Sequence, residues 1–134
     1  MAYIGSEFDG RRLYSEICDT LFLLGVPAHL NGYDYLVSAI TRVVYDRSCL
    51  RAVTKRLYPE VGAEFSRPPQ IIERSIRNAI EIAFNRGDPD VLNAYFGMTI
   101  SADRGKPTNS EFIALVAQRI ALKLSDYGAA RAVK

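Results

Sequence analysis

Apolar side chains recur every three to four residues along most of this 134-residue sequence, the spacing that places them on one face of a helix. The strict alternation of apolar and polar residues that marks a half-buried strand is nowhere sustained, and no internal repeat is visible. Each helix has to bury its apolar face against another helix. We therefore predict a compact all-α fold of six or seven helices.

Turn and capping residues set the ends of the predicted helices. Gly25 and Pro27 end the first helix, and the pair Asn31–Gly32 forms a turn before the second. Asp46 can cap a short third helix, and Pro59 suits the first turn of a fourth, where its missing amide costs no hydrogen bond. The predicted helices cover residues 11–24, 33–45, a short stretch between 46 and 57, 59–65, 69–85, 88–96 and 108–126, and residues 127–134 are expected to fray.

The size and the composition fit one domain. A chain of 134 residues matches a single core, so we expect residues 1–134 to form one domain. Its 49% apolar and 24% charged residues exclude a disordered or low-complexity chain. The longest nearly apolar stretch, residues 21–30, is too short to span a membrane, and the N-terminus lacks the basic start and apolar block of a signal peptide. We expect a cytoplasmic protein with no membrane partner.

Few side chains could carry chemistry. Cys18 and Cys49 lie in apolar helical patterns without metal-ligand spacing, which favours reduced core thiols. His29, the sole histidine, has no acidic or cysteine partner at ligand spacing and is interpreted as a loop-packing residue. The sequence contains no nucleophile with a neighbouring base and no phosphate-binding glycine loop. We therefore expect no enzymatic activity, no metal, no cofactor and no small-molecule substrate.

The helices on either side of residues 66–68 have the layout of a helix-turn-helix, in which a short helix, a tight turn and a longer amphipathic helix follow one another. Residues 51–78 carry six basic and three acidic side chains, in a chain whose net charge is only +2. A basic patch of this size is typical either of a DNA-binding surface or of an ordinary solvated face. The pattern of the longer helix has to distinguish the two.

The longer helix presents two distinct faces. Its core stripe contains Ile72, Ile76, Ala79, Ile80 and Ala83. Its polar face contains Gln70, Glu73, Arg74, Arg77 and Glu81. In the major groove arginine can pair with guanine, glutamine can pair with adenine, and glutamate can accept from cytosine. The polar face is therefore suited to base reading, although a solvated face with a Glu73–Arg77 ion pair fits the same spacing.

The start and the outer side of the last helix offer two further candidate contacts. The basic loop before this helix leads into Thr108 and Glu111, whose spacing lets each side chain cap a backbone amide near the other. A helix N-terminus of this kind can bind a phosphate, with a solvated turn as the alternative. The candidate phosphate contacts are Arg67, Arg104, Lys106 and Thr108. Leu115 and Leu122 lie opposite the core stripe of the same helix, either against another part of the domain or at a subunit contact.

Several segments of the chain resemble one known family. They are LGVPAH at residues 24–29, GY at 32–33, YL at 35–36, LYP at 57–59, IER at 72–74, IR at 76–77, AIE at 79–81 and KPTNSEFIA at 106–114. Over about residues 14–124 the chain resembles the DNA-binding effector domain of the stage zero sporulation master response regulators. The block at residues 106–114 is the most specific part of the resemblance.

The resemblance implies an all-helical domain that binds short promoter boxes through a helix-turn-helix, often as two copies head to tail, and activates or represses transcription. It also implies that residues 69–85 form the recognition helix and that Glu73, Arg74 and Arg77 read bases. Two positions depart from the family, because Ile71 stands where it usually has arginine and Asn78 where it usually has histidine. Ile71 cannot bind phosphate or guanine, although it could touch a thymine methyl group, so the specificity can differ from the family's.

The sequence thus predicts a sequence-specific, double-stranded DNA-binding transcription regulator of the sporulation-initiation type, with self-association in tandem on DNA as a further expectation. The base-reading candidates are Gln70, Ile71, Glu73, Arg74, Arg77 and Asn78. The alternative is a protein-interaction module of the same fold that has lost specific DNA binding, and Ile71 and Asn78 keep it open. In the family a receiver domain precedes this domain, and no receiver fits in the chain, so both an excised domain and a stand-alone paralogue stay open.

Overall fold

The computed structural model describes residues 7–97 and 105–133, with side chains described over 10–97 and 105–125. The α-helices in these ranges are α1 Glu7–Leu23, α2 Asn31–Tyr45, α3 Tyr58–Phe65, α4 Pro69–Arg86, α5 Pro89–Phe96 and α6 Asn109–Val133. No strand occurs in the same ranges, and the prediction of an all-α fold is confirmed. None of the helices in this part of the chain is long and apolar enough to cross a membrane.

The core forms around α2, which packs against α1, α4 and α6. The apolar stripe predicted for α4 is buried, and so is the stripe of α6 that contains Ile113, Val116, Ala117, Ile120 and Leu124. Helices α2 and α4 approach closely, since a Cβ atom at Gly32 would lie 2.2 Å from the main-chain oxygen of Ser75. Gly32 therefore belongs to α2 and serves helix packing, and the prediction that it forms a turn before the helix is wrong.

Between α2 and α3 the structure differs from the single short helix that was predicted. The chain forms a 3-10 helix over Arg47–Arg51 and a π-helical turn over Val53–Leu57, and Asp46 caps the first of them as expected. Ala52, at φ −145° and ψ 55°, interrupts the helical path between them. The break lets Nη2 of Arg56 lie 2.7 Å from Oδ2 of Asp46. Ten residues of straight helix would separate these two positions by about 15 Å.

Helix α6 is longer than predicted. It continues to Val133, whereas the sequence pattern indicated an end near Asp126 followed by a frayed tail. The added residues include the good helix formers Ala129, Ala130 and Arg131 and no proline, which accounts for the continuation of the helical backbone.

Two arginines connect α3 to the elements that precede it. Arg42 of α2 lies 3.5 Å from Glu60 and 3.0 Å from Glu64, both on α3. Arg56 lies 3.0 Å from the same Glu60 and also reaches Asp46 at the end of α2. The first helix of the predicted helix-turn-helix is thereby tied electrostatically to α2 on one flank.

Replacing Asp46 with asparagine should make the stability of the domain less sensitive to acid. Hydrogen bonds from Ser48 and from Arg56 lower the pKa of Asp46 from 3.8 to about 2. A carboxyl group with a lower pKa in the folded state stabilises the fold fully above its unfolded pKa, and this contribution is lost as the pH falls through the folded pKa. The difference in free energy of unfolding between the unmodified protein and Asp46→Asn should therefore stay constant above pH ~4 and shrink towards pH ~2. Urea unfolding of both proteins between pH ~2 and pH ~7 measures this difference. A difference that stays constant throughout would contradict the lowered pKa of Asp46.

Candidate nucleic-acid interface

A tight turn of fixed geometry joins α3 to α4. Ser66 adopts the left-handed conformation with φ 56° and ψ 46°, and the amide of Arg67 donates to the oxygen of Gly62 at 2.9 Å. A Cβ atom at Gly62 would lie 2.4 Å from the main-chain oxygen of Arg67, so this close turn requires glycine there. Pro69 then occupies the first turn of α4, where no amide is needed. Helix α3, the turn and α4 form the helix-turn-helix that the sequence predicted.

The face of α4 opposite its buried stripe is accessible to solvent. Six candidate base-reading residues lie on this side of the helix. The exposed ones are Gln70, Arg74, Arg77 and Asn78, and the partly exposed ones are Ile71 and Glu73. The fold therefore brings together every side chain proposed to read bases, whereas their contacts with DNA stay a prediction.

Arg74 and Arg77 differ in what they contact. Arg77 is ion-paired with Glu73 one turn earlier, in agreement with the spacing of the two residues in the sequence. Arg74 has no ion-pair partner among the residues that the structure describes. An exposed ion pair on a helix contributes only ~0.3 to 0.5 kcal/mol, less than the ~1 to 3 kcal/mol of a good bidentate base contact. The pair with Glu73 is therefore too weak to keep Arg77 from an external acceptor.

The start of α6 lies beside α4. Nζ of Lys106 is 3.7 Å from Oε2 of Glu81 on α4. Thr108 and Glu111 form the predicted reciprocal cap, since the Thr108 amide donates to Glu111 at 2.9 Å and the Glu111 amide donates to Thr108 Oγ1 at 3.2 Å. Two of the candidate phosphate contacts, Lys106 and Thr108, thus lie next to α4. The third described candidate, in the turn between α3 and α4, is the exposed Arg67, while Arg104 lies outside the described residues.

Asn109 joins α6 to the helix-turn-helix. Its Nδ2 donates to the hydroxyl of Tyr58 and to the main-chain oxygen of Glu73, both at 3.1 Å. Burial raises the pKa of the Tyr58 hydroxyl above its usual value. The two hydrogen-bond partners of Asn109 lie 51 and 36 residues away along the chain, so no local spacing could have singled out this residue. The one available signal was its place inside the block 106–114.

The remaining side chains singled out in the sequence lie away from α4's outer face. Leu115 is partly buried and packs against the core, whereas Leu122 is 58% exposed, so a subunit contact stays a prediction with Leu122 as its stronger candidate. Cys49 is a buried free thiol, Cys18 is a partly buried one, and His29 is exposed. Within the described residues no group of three or more potential metal ligands comes together.

A short helix, a tight turn and a second helix that presents hydrogen-bond donors and acceptors to solvent define the helix-turn-helix class of DNA-binding domain. Residues 17–120 match the family model described as "Sporulation initiation factor Spo0A C terminal". The chain therefore belongs to this family of all-α, DNA-binding transcription-factor domains of sporulation initiation, which is not a known enzyme family. The match confirms the resemblance carried by the sequence segments.

Proposed function

We propose that this domain binds double-stranded DNA at specific promoter sequences, with α4 lying in the major groove. The observation that carries the proposal is Arg74, which is exposed on the outer face of a helix whose inner face is buried, and which has no ion-pair partner among the described residues. In a helix-turn-helix the first turns of the second helix contact base edges, and arginine pairs bidentately with guanine there. Such a domain regulates transcription by its position on DNA rather than by catalysis.

The side chains around Arg74 can contact different bases in the major groove. Arg77 can pair with a second guanine while Glu73 accepts from a cytosine, so their ion pair exchanges for contacts with adjacent bases. Gln70 and Asn78 each carry an amide that can pair bidentately with adenine. Ile71 is only partly exposed and offers a methyl contact to thymine. A preference that includes an A·T pair opposite Ile71 is expected.

Side chains at the edges of α4 position the domain on the DNA backbone. We expect Arg67 in the turn, together with Lys106 and Thr108 before α6, to contact the phosphates that flank the groove, and Arg104 belongs to the same basic loop by sequence. Phosphate contacts fix register and orientation but carry no sequence information directly. The ion pair of Lys106 with Glu81 is partly exposed, and such a pair contributes little stability.

Replacing Arg74 with alanine should weaken binding to the preferred duplex by ~1 to 3 kcal/mol and leave binding to a scrambled duplex nearly unchanged. The lost contact is to a base, and only the preferred sequence presents that base in register. The preferred duplex is recovered by selection from a randomised pool with the unmodified protein, and both affinities are measured at several salt concentrations.

Arg67→Ala serves as the matched control, because it also removes one exposed arginine of the helix-turn-helix. A phosphate contact there predicts equal weakening on both duplexes and a salt slope smaller by about one. If the selection enriches no sequence, or if Arg74→Ala weakens both duplexes equally, then α4 does not read bases through Arg74. A protein-interaction module of the same fold would then be the better description.

A further inference from the structure

One amide side chain links α6 to both α3 and α4. Nδ2 of Asn109 carries two hydrogens, and it donates one to the Tyr58 hydroxyl at the start of α3 and one to the main-chain oxygen of Glu73 in α4, each at 3.1 Å. A carbonyl oxygen has two lone pairs, so the Glu73 oxygen can accept this bond in addition to its helical one. The two hydrogen bonds have ordinary donor–acceptor distances.

A second contact of the same segment lies further along α4. Three residues before Asn109, the ammonium group of Lys106 is 3.7 Å from the carboxylate of Glu81. Positions 73 and 81 are eight residues apart, which is about 12 Å along a helix axis. The segment 106–109 therefore runs beside α4 and contacts it at Glu73 and at Glu81. Arg74, Arg77 and Asn78 lie between these two contacts along the helix.

We infer that Asn109 is a positioning residue for base reading, an inference that rests on the function proposed above. Base contacts require donors held to within about half an ångström of their productive place, whereas long basic side chains can follow a displaced phosphate. Loss of the Asn109 hydrogen bonds frees α4 to shift against α3 and α6. The shift removes discrimination between DNA sequences and leaves the general attraction to DNA intact.

Asn109→Asp separates this role from simple stability. The substitution keeps the shape of the side chain, removes both donated hydrogens and places a negative oxygen against the Glu73 carbonyl. Position 109 is the first residue of α6, where an acidic side chain is favoured by the helix dipole, so α6 itself is not weakened. Ser110→Asp is the matched control, because it adds the same charge to the same helix end, and Ser110 is one residue removed from the contact.

Relative to Ser110→Asp, we expect Asn109→Asp to bind the preferred duplex about fivefold to tenfold more weakly and a scrambled duplex equally well. Amide NMR signals of residues 73–78 in the DNA-free protein should shift in Asn109→Asp and not in Ser110→Asp. This second readout reports on the placement of α4 whether or not DNA is bound.

Two results would overturn the inference. Equal discrimination by Asn109→Asp and Ser110→Asp would show that the contact does not position the reading side chains, and unmoved amide signals would show that it does not hold α4. If instead the unmodified protein itself prefers no duplex while the amide signals still shift, the proposed function fails and the Asn109 contact is packing alone.

Discussion

Gly32→Ala should destabilise the domain by ~3 kcal/mol or more, although alanine is the better helix former. The new Cβ atom would lie 2.2 Å from the main-chain oxygen of Ser75 and 2.9 Å from the Cβ of Ala79. The nearest of these atoms belongs to the α4 backbone and cannot rotate away, so α2 and α4 have to separate along their contact. The gain of up to ~1 kcal/mol in helix propensity is too small to offset this. Urea unfolding monitored by circular dichroism measures the change.

Gly10→Ala is the matched control for this prediction. Gly10 also lies in a helix, and a Cβ atom there would meet only the hydroxyl of Tyr45 at 3.8 Å, an ordinary contact. This variant should be more stable than the unmodified protein by ~0.5 to 1 kcal/mol. If the two substitutions changed stability in the same direction, the close approach of α2 to α4 would not be the controlling feature.

Phe112→Ala should cost ~3 to 5 kcal/mol of stability. Phe112 is fully buried in the first turn of α6 and stacks on Phe96 of α5, with ring centroids 5.2 Å apart and ring planes 16° from parallel. Removal of the ring leaves a cavity between two helices and also loosens the end of α6 that contacts α4. We therefore expect weaker DNA binding at temperatures where part of the variant is unfolded.

Phe22→Ala removes the same ring from a side chain that is 84% exposed, so it should change stability by no more than ~0.5 kcal/mol. Thermal and urea unfolding of the two variants side by side give the comparison. A loss for Phe112→Ala as small as that for Phe22→Ala would show that the stacked pair does not anchor α6.

Features set by neighbouring residues could be predicted from the sequence. The period of Ile72, Ile76 and Ile80 indicated which face of α4 is buried, and the spacing of Thr108 and Glu111 indicated their reciprocal cap. Both follow from the geometry of a single helix, which is fixed by local spacing alone.

Features set by distant residues could not be predicted. Gly32 follows an asparagine, a pair typical of turns, and only the proximity of Ser75 in another helix shows why glycine is needed there. The break at Ala52 brings Arg56 back to Asp46, a contact between distant positions, whereas the apolar spacing of that segment also fits one continuous helix. The contacts of Asn109 likewise join parts of the chain far apart in sequence.

Helix α4 is contacted by segments that lie on both sides of it along the chain. Helix α2, which precedes it, packs against its inner side, and residues 106–109, which follow it, contact its flank. A ribosome synthesises the chain from the N-terminus, so the proposed base-reading side chains of α4 emerge before residues 106–109, which contact the flank of α4. A nascent chain that ends before residue 106 therefore carries the proposed base-reading side chains without the contacts of Asn109 and Lys106 with α4. We expect promoter recognition to require a chain that includes the first turns of α6.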